Sequence, residues 1–262
     1  MPRTSWSRLR NLEIWCPPPA EQQRIAEILD ELDHAIEACN HVLEKLGTAQ
    51  VALLRSILID IQAPSRPLAD LLSVNPRNGY SPKEVEGWTG VLALGLGCLT
   101  VSGFSPRQLK NVPASDDRYW GAWLSDGDLL MSRSNTLEMV GLVGRYRDVG
   151  VPCIYPDLMM KLVPNSLVRP EFLEISLSDA NARRQIKSLA QGTSGSMVKI
   201  SADTARRLQV RVPSLPEQDR ILRAAAMAKS EIAAKGHEKN KLVQLKRGLM
   251  EDLLSGRVRV PR

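Results

Sequence analysis

Three short stretches of this sequence gather side chains suited to nucleic-acid contact. Arg77, Asn78 and Tyr80 stand among turn residues; Arg133, Ser134 and Asn135 follow a strand-like run; Thr193, Ser194, Ser196 and Lys199 follow a helix-like one. Arg and Lys can read guanine through paired hydrogen bonds, Asn and Gln can read adenine, and Ser and Thr reach phosphates or either base edge. Gly192 and Gly195 let backbone N–H groups approach a phosphate closely. The same residue types are common in ordinary solvated loops, so composition alone leaves both readings open.

Catalytic machinery is not legible beside them. Asn75-Pro76-Arg77-Asn78 begins like the Asn-Pro-Pro-aromatic loop of adenine methyltransferases, but Arg77 stands where the second proline belongs and Asn78 where the aromatic does, so it reads as a turn. Gly95-Leu96-Gly97 resembles half of a glycine-rich cofactor loop; no clear helix comes after it and Pro106 intervenes, so a β-turn or bulge fits better. Neither the Glu-x-Lys or Asp-x-Lys of a nuclease nor a phosphate-cradling GxxxxGK[ST] occurs. His34 and His41 fall on one helical face without a third ligand nearby and read as solvent-facing. Cys16, Cys39, Cys98 and Cys153 form no CxxC pair, which points to reduced thiols rather than zinc or redox chemistry. The expectation is no catalytic residue, no metal and no cofactor held by this chain.

Among 262 residues, 35 Lys and Arg face 29 Asp and Glu, giving a net charge of +6 and an isoelectric point near 9.3. That balance is compatible with a polyanionic partner without requiring one. Apolar residues make up 43% but aromatics only 4%, so a core of Leu, Ile, Val and Ala is expected. The longest apolar run, Val91 to Val101, is broken by Gly95 and Gly97 and is too short to span a membrane. The N-terminus, with Arg3, Arg8 and Arg10 among polar residues, lacks the apolar stretch of a secretory signal. A cytoplasmic protein with no membrane partner is expected.

The elements that must position these residues are marked by a repeat. At one offset of 196 residues, without a gap, Ile14, Pro17, Glu21, Gln22, Arg24 and Ile25 match Val210, Pro213, Glu217, Gln218, Arg220 and Ile221. Ser5, Arg10 and Leu12 match Ser201, Arg206 and Leu208, and Leu46, Leu53 and Leu58 match Leu242, Leu249 and Leu254. Each copy reads as a short strand, a proline elbow and a long helix. Two copies this far apart form no stacked array; they read as paired struts holding the residues between them.

From Ala20 to Gln62, residues Ile25, Leu29, Leu32, Ile36, Cys39, Leu43, Leu46, Gln50, Leu53 and Ile57 recur in steps of four and three, the spacing of a coiled-coil seam. A helix of about 40 residues is roughly 60 Å long and needs a partner of similar length. The second copy supplies Ile221, Ala225, Ala228, Ile232, Lys235, Lys239, Leu242, Lys246, Leu249 and Leu253, with lysines that can snorkel to the rim. Antiparallel pairing within one chain is expected; pairing with another chain is the alternative.

Between the helices, prolines and glycines punctuate short apolar runs. Strands are expected at Val91–Leu94, Asp128–Ser132, Met139–Val143, Cys153–Tyr155, Met159–Val163 and Leu208–Val212, and helices within Glu171–Ala190 and after Lys199. The fold class is α+β, a mixed α/β domain flanked by two long helices pairing as an antiparallel coiled coil.

The repeated strand–Pro-x-x-x-Glu-Gln-x-Arg-Ile elbow resembles the specificity subunits of Type I restriction–modification systems. So does Gly127-Asp128-Leu129-Leu130-Met131-Ser132-Arg133 followed by Gly141, and so does the loop Gly192-Thr193-Ser194-Gly195-Ser196 before Lys199-Ile200-Ser201. The family's order is domain–helix–domain–helix, whereas this chain reads helix–domain–helix. It resembles a single-recognition-domain version: a half-size subunit, a natural truncation or the C-terminal half of a split gene. Residues 1–16 would be the remnant strand of a missing or separate recognition domain, 17–62 the first conserved helix, 63–216 the target recognition domain, 217–256 the second helix and 257–262 a tail. The resemblance implies a non-catalytic subunit that reads duplex DNA and docks a methyltransferase subunit through its helices. Glu21, Gln22, Arg24, Glu217, Gln218 and Arg220 are the expected docking residues. S-adenosylmethionine would sit on that partner, a restriction subunit can join, and a second copy or a second half-subunit would supply another reader. The alternative is an orphan adaptor or inhibitor that binds the methyltransferase without reading DNA.

Overall fold

Proline stands in the first turn of both long helices, Pro19 and Pro216, where its missing N–H costs nothing and its fixed φ is already helical. The structure, a computed structural model, describes Trp6, Arg10, residues 15–192 and residues 197–260. The first long helix spans Pro19–Asp60 and the last Leu215–Leu254. The Pro18 carbonyl accepts from the N–H groups of Glu21 and Gln22 at 2.9 and 3.0 Å. Most of the strand expected within residues 1–16 lies outside the described residues.

The chain divides into two compact units, one of residues 1–52 with 225–262 and one of residues 53–224. In the first unit, the helices touch in an antiparallel sense. Lys246 Nζ lies 2.5 Å from Asp33 Oδ2, the Cys39 thiol faces Glu238 Oε1 at 3.9 Å, and Arg259 reaches Glu21, so partners descend along one helix as they ascend the other. All ten expected seam positions of the last helix are shielded, Lys235, Lys239 and Lys246 included. Lys235 and Lys246 bring their ammonium groups to carboxylates, Glu238 and Asp33. One seam expectation in the first helix needs correcting: Leu53 is 44% exposed, and Leu54 is the shielded residue. A straight helix drifts about 20° per heptad against a seven-residue repeat, so four heptads after Ile25 the shielded face has moved on by nearly one residue.

The second unit is built around the strand Leu129–Ser132. It sits inside a four-stranded antiparallel sheet in the order Arg77–Asn78, Met159–Leu162, Leu129–Ser132, Val143–Arg145. Alternate side chains of a strand face opposite ways. Leu129 and Met131 enter one core with Met160, Leu162, Phe172, Leu173 and Ile186, whereas Leu130 enters another with Met159, Leu94, Ile154 and Tyr155. A strand buried on both faces is why this stretch reads as an unbroken apolar run. A three-stranded sheet of Cys153–Ile154, Leu92–Leu94 and Leu109–Asn111 lines the second core. Helices Pro170–Ser178 and Ala180–Leu189 cover the first.

Two smaller ladders tie in the ends of the unit. Ser65–Pro67 pairs with Gln209–Arg211, and Val198–Lys199 pairs with Ser134–Asn135. The strand expected at Met139–Val143 begins only at Val143. Gly141, at φ +71, turns the chain first, and a Cβ there would come within 2.5 Å of Ile186.

Candidate nucleic-acid interface

The register of the four-stranded sheet brings two of the three candidate stretches to one end of the sheet. Met160 lies opposite Asn78, and Met159 lies opposite Ser132, the residue before Arg133. Beyond them the backbones stay in touch: Gly79 N–H donates to Met159 O, Tyr80 N–H to Tyr155 O, and Arg133 N–H to Leu158 O. Gly79 is required at this crossing, since a Cβ would fall 2.0 Å from the Tyr155 carbonyl oxygen.

The third stretch joins through the small ladder. Lys199 pairs with Ser134 and Val198 with Asn135, while the Ile200 N–H donates to Arg133 O at 2.9 Å. Asn78, Arg133, Asn135 and Lys199 thus gather at one sheet end. Asn78 and Lys199 are exposed, Arg133 and Asn135 half-buried. Arg133 Nη1 touches Asp157 O at 3.5 Å, and its buried Nε has no hydrogen-bond partner. Thr193, Ser194 and Ser196 lie outside the described residues.

Four DNA candidates differ from expectation. Ser134 is 1% exposed, with its hydroxyl shut off from solvent and unpartnered, because the strand's alternation turns it inward. It is removed from the contact surface. Arg77 and Asn78 form an edge strand rather than a turn. Tyr80 is half-buried: its hydroxyl donates to Asp116 at 3.3 Å, and the Arg118 guanidinium stacks 4.5 Å over its ring. Burial raises the Tyr80 pKa, so the phenol stays protonated.

The repeated residues expected to dock a partner do several kinds of work. Gln218 is fully buried and acts as a clip. Its Nε2 donates to Pro213 O at 2.9 Å and to Leu167 O at 3.0 Å, and its Oε1 accepts from the Arg169 N–H at 2.8 Å. Beside it, Asp219 pairs with Arg169 at 3.0 and 3.2 Å, a bond that holds the aspartate pKa below its usual range. Glu21 is 8% exposed and holds the C-terminal segment, accepting from Arg259 at 2.8 and 2.6 Å and from Val260 N–H at 3.2 Å. Hydrogen bonds from Arg259 lower its pKa against the opposing cost of burial. Gln218 and Glu21 are therefore internal braces and leave the docking set. The other four remain nearer solvent: Gln22, Arg24 and Arg220 are exposed, and half-buried Glu217 pairs with Arg220 at 2.5 Å.

A further feature escaped the sequence reading. A polar cleft of about 530 Å³ lies between the segment from Ala69 to Arg77 and the short helix Ala202–Arg206, and both Arg77 and Arg206 line it. Among the described residues no group of His, Cys, Asp and Glu is arranged to hold a metal, and no helix is long and apolar enough to cross a membrane.

A family model described as the Type I restriction modification DNA specificity domain matches residues 1–47. The chain is 26% identical over 230 residues to the Type I restriction enzyme EcoKI specificity subunit of Escherichia coli strain K12, covering 81% of this chain and 49% of that one. It is 21% identical over 280 residues to the MjaVIII specificity subunit of Methanocaldococcus jannaschii, covering 99% and 65%. The crystal structure of the HsdS subunit from Thermoanaerobacter tengcongensis shares the fold, with a TM-score of 0.56 at 15% identity over 98% of this chain and 64% of that one. The chain thus spans about half the length of the first relative and under two thirds of the other two. The chain is thus similar to the specificity subunits of Type I restriction–modification systems and shares the fold of a solved one.

Proposed function

We propose that this chain is a non-catalytic DNA-specificity subunit, reading a short element of duplex DNA with one end of its four-stranded sheet. The observation that carries this reading is the convergence of Asn78, Arg133, Asn135 and Lys199, remote in sequence, at that end. Their chemistry suits base edges and phosphates, and the net charge of +6 favours a polyanion. An adenine methyltransferase subunit docks on the long helices, with Gln22, Arg24, Glu217 and Arg220 as contact candidates, and supplies S-adenosylmethionine and the methyl transfer. A restriction subunit joins the same assembly, and a second copy or half-subunit presents a second reader. The setting is the cytoplasm.

Binding of a labelled duplex by the purified chain across a salt series tests the reading. A linear fall of log affinity with log salt is expected. Retention of a methyltransferase subunit without any duplex binding would instead identify an adaptor. Methyl transfer from labelled S-adenosylmethionine to DNA by this chain alone would overturn the non-catalytic assignment.

A further inference from the structure

We propose that Arg77 and Arg206, which both line the polar cleft, hold one backbone phosphate of bound duplex DNA. The inference rests on the DNA-reading function proposed above and adds to it a phosphate contact that begins one residue along the edge strand from Asn78. Arg77 stands exposed on the edge strand Arg77–Asn78. The Arg206 side chain is 40% exposed, and its approach to Asp203 at 3.8 Å is too long for a hydrogen bond. Two planar guanidinium groups across an open polar cleft suit the fork geometry of a phosphodiester.

The repeat supplies an independent argument. Three other polar residues that recur at the 196-residue offset, Ser201, Gln218 and Glu217, have internal work in the second copy. Ser201 caps the short helix by accepting from Thr204 N–H at 3.0 Å, Gln218 clips Pro213, and Glu217 pairs with Arg220. Arg206 recurs as Arg10 yet has no comparably close internal partner. Its guanidinium, held only by that long ion pair with Asp203, is free to turn to an external anion.

The position fits a duplex. Arg77 lies opposite Lys161, and Ser73 N–H donates to Val163 O, so the cleft follows the strand Met159–Leu162 away from its Arg133 end. At about 3.3 Å per residue the two points are roughly 10–13 Å apart, well inside one duplex turn of about 34 Å.

The test is fluorescence anisotropy of a labelled mixed-sequence 30-bp duplex with the full chain, from about 50 to 200 mM salt. Each phosphate neutralised contributes about 0.9 to the salt slope. Arg206→Ala and Arg77→Ala should each weaken binding several-fold and flatten the slope by no more than about one unit. The double variant should also flatten it by about one unit, because both arginines serve one phosphate. Arg206→Lys should keep the salt slope but lose part of the affinity, because an ammonium cannot offer the paired N–H groups, and unchanged thermal melting confirms that each variant folds. A two-unit loss in the double variant would mean separate phosphates and overturn the clamp. Unchanged binding in both single variants would also overturn it, and loss of methyltransferase capture in those variants would assign the cleft to a protein carboxylate instead. If the wild-type chain binds no duplex, the function proposed above falls together with this inference.

Discussion

Gln22 and Gln218 make the same hydrogen bond: each donates from Nε2 to the carbonyl of the proline five residues earlier, Pro17 at 2.8 Å and Pro213 at 2.9 Å. The surroundings differ. Gln218 is buried and also holds Leu167 and Arg169, whereas Gln22 is exposed, with the Cys16 sulfur as its further partner at 3.4 Å. One side chain thus closes two elbows of common design, and in the second it also fixes the loop that enters the helix Pro170–Ser178.

That contrast predicts unequal costs. Gln218→Ala removes the three hydrogen bonds of a fully buried side chain, to Pro213 O, Leu167 O and the Arg169 N–H, each worth about 0.5–1.5 kcal/mol. Loss of at least about 2 kcal/mol is expected in urea unfolding. Gln22→Ala, at a solvated site, should stay within about 0.5 kcal/mol. Equal effects would refute the division of labour.

Acid should release the C-terminal segment. The folded pKa of Glu21 is lowered, chiefly by its Arg259 hydrogen bonds, so its contribution is complete at neutral pH. It fades as the pH drops below the usual glutamate value of about 4.3 and through the lowered folded value. Hydrogen exchange at the Val260 amide, which donates to Glu21, should report the loss. Glu21→Gln should lose that protection already at neutral pH, and acid-independent protection in the wild type would count against the brace.

Arg133→Ala separates base reading from phosphate binding. If Arg133 reads a base, affinity for the cognate sequence should fall by about 1–3 kcal/mol while random duplex is little affected. If it holds a phosphate, both should weaken and the salt slope should shrink by about one unit. Binding unaltered on both duplexes removes Arg133 from the interface.

The antiparallel contact of the helices can be caught chemically. Cys39 already faces Glu238 at 3.9 Å, so Glu238→Cys places a second thiol across the helix pair. A short bismaleimide at dilute protein should join them within one chain, giving a faster-migrating monomer on a denaturing gel. Covalent dimers as the sole product would mean that the helices pair between chains.

The helices were legible because a seven-residue pattern is local and long. The ten shielded positions of the last helix, lysines included, follow from spacing alone, and Leu53 failed where helical drift outran the pattern. The sheet strands were legible as apolar runs, but Gly141 hid a turn inside one of them. Site residues were harder. Repetition marked Glu21 and Gln218 as constrained, yet recurrence looks the same whether a residue braces the fold or faces a partner. Ser134 shows the complementary limit: a polar residue beside Arg133 suggested contact, while strand alternation turned it inward. The gathering of Asn78, Arg133 and Lys199 depends on register between distant strands, which no local pattern contains.

The sequence distance between the helices also sets a clock. The first ends at Asp60 and the last at Leu254, about 190 residues later, a delay of roughly 10–40 s at ribosomal rates of 5–20 residues per second. Through that interval Ile25, Leu32, Ile36 and Leu43 have left the ribosome, and their partner helix has yet to be completed. A complementary helix finished earlier on a neighbouring chain competes for the same stripe. Order of synthesis, as well as affinity, therefore decides which helix the first one keeps.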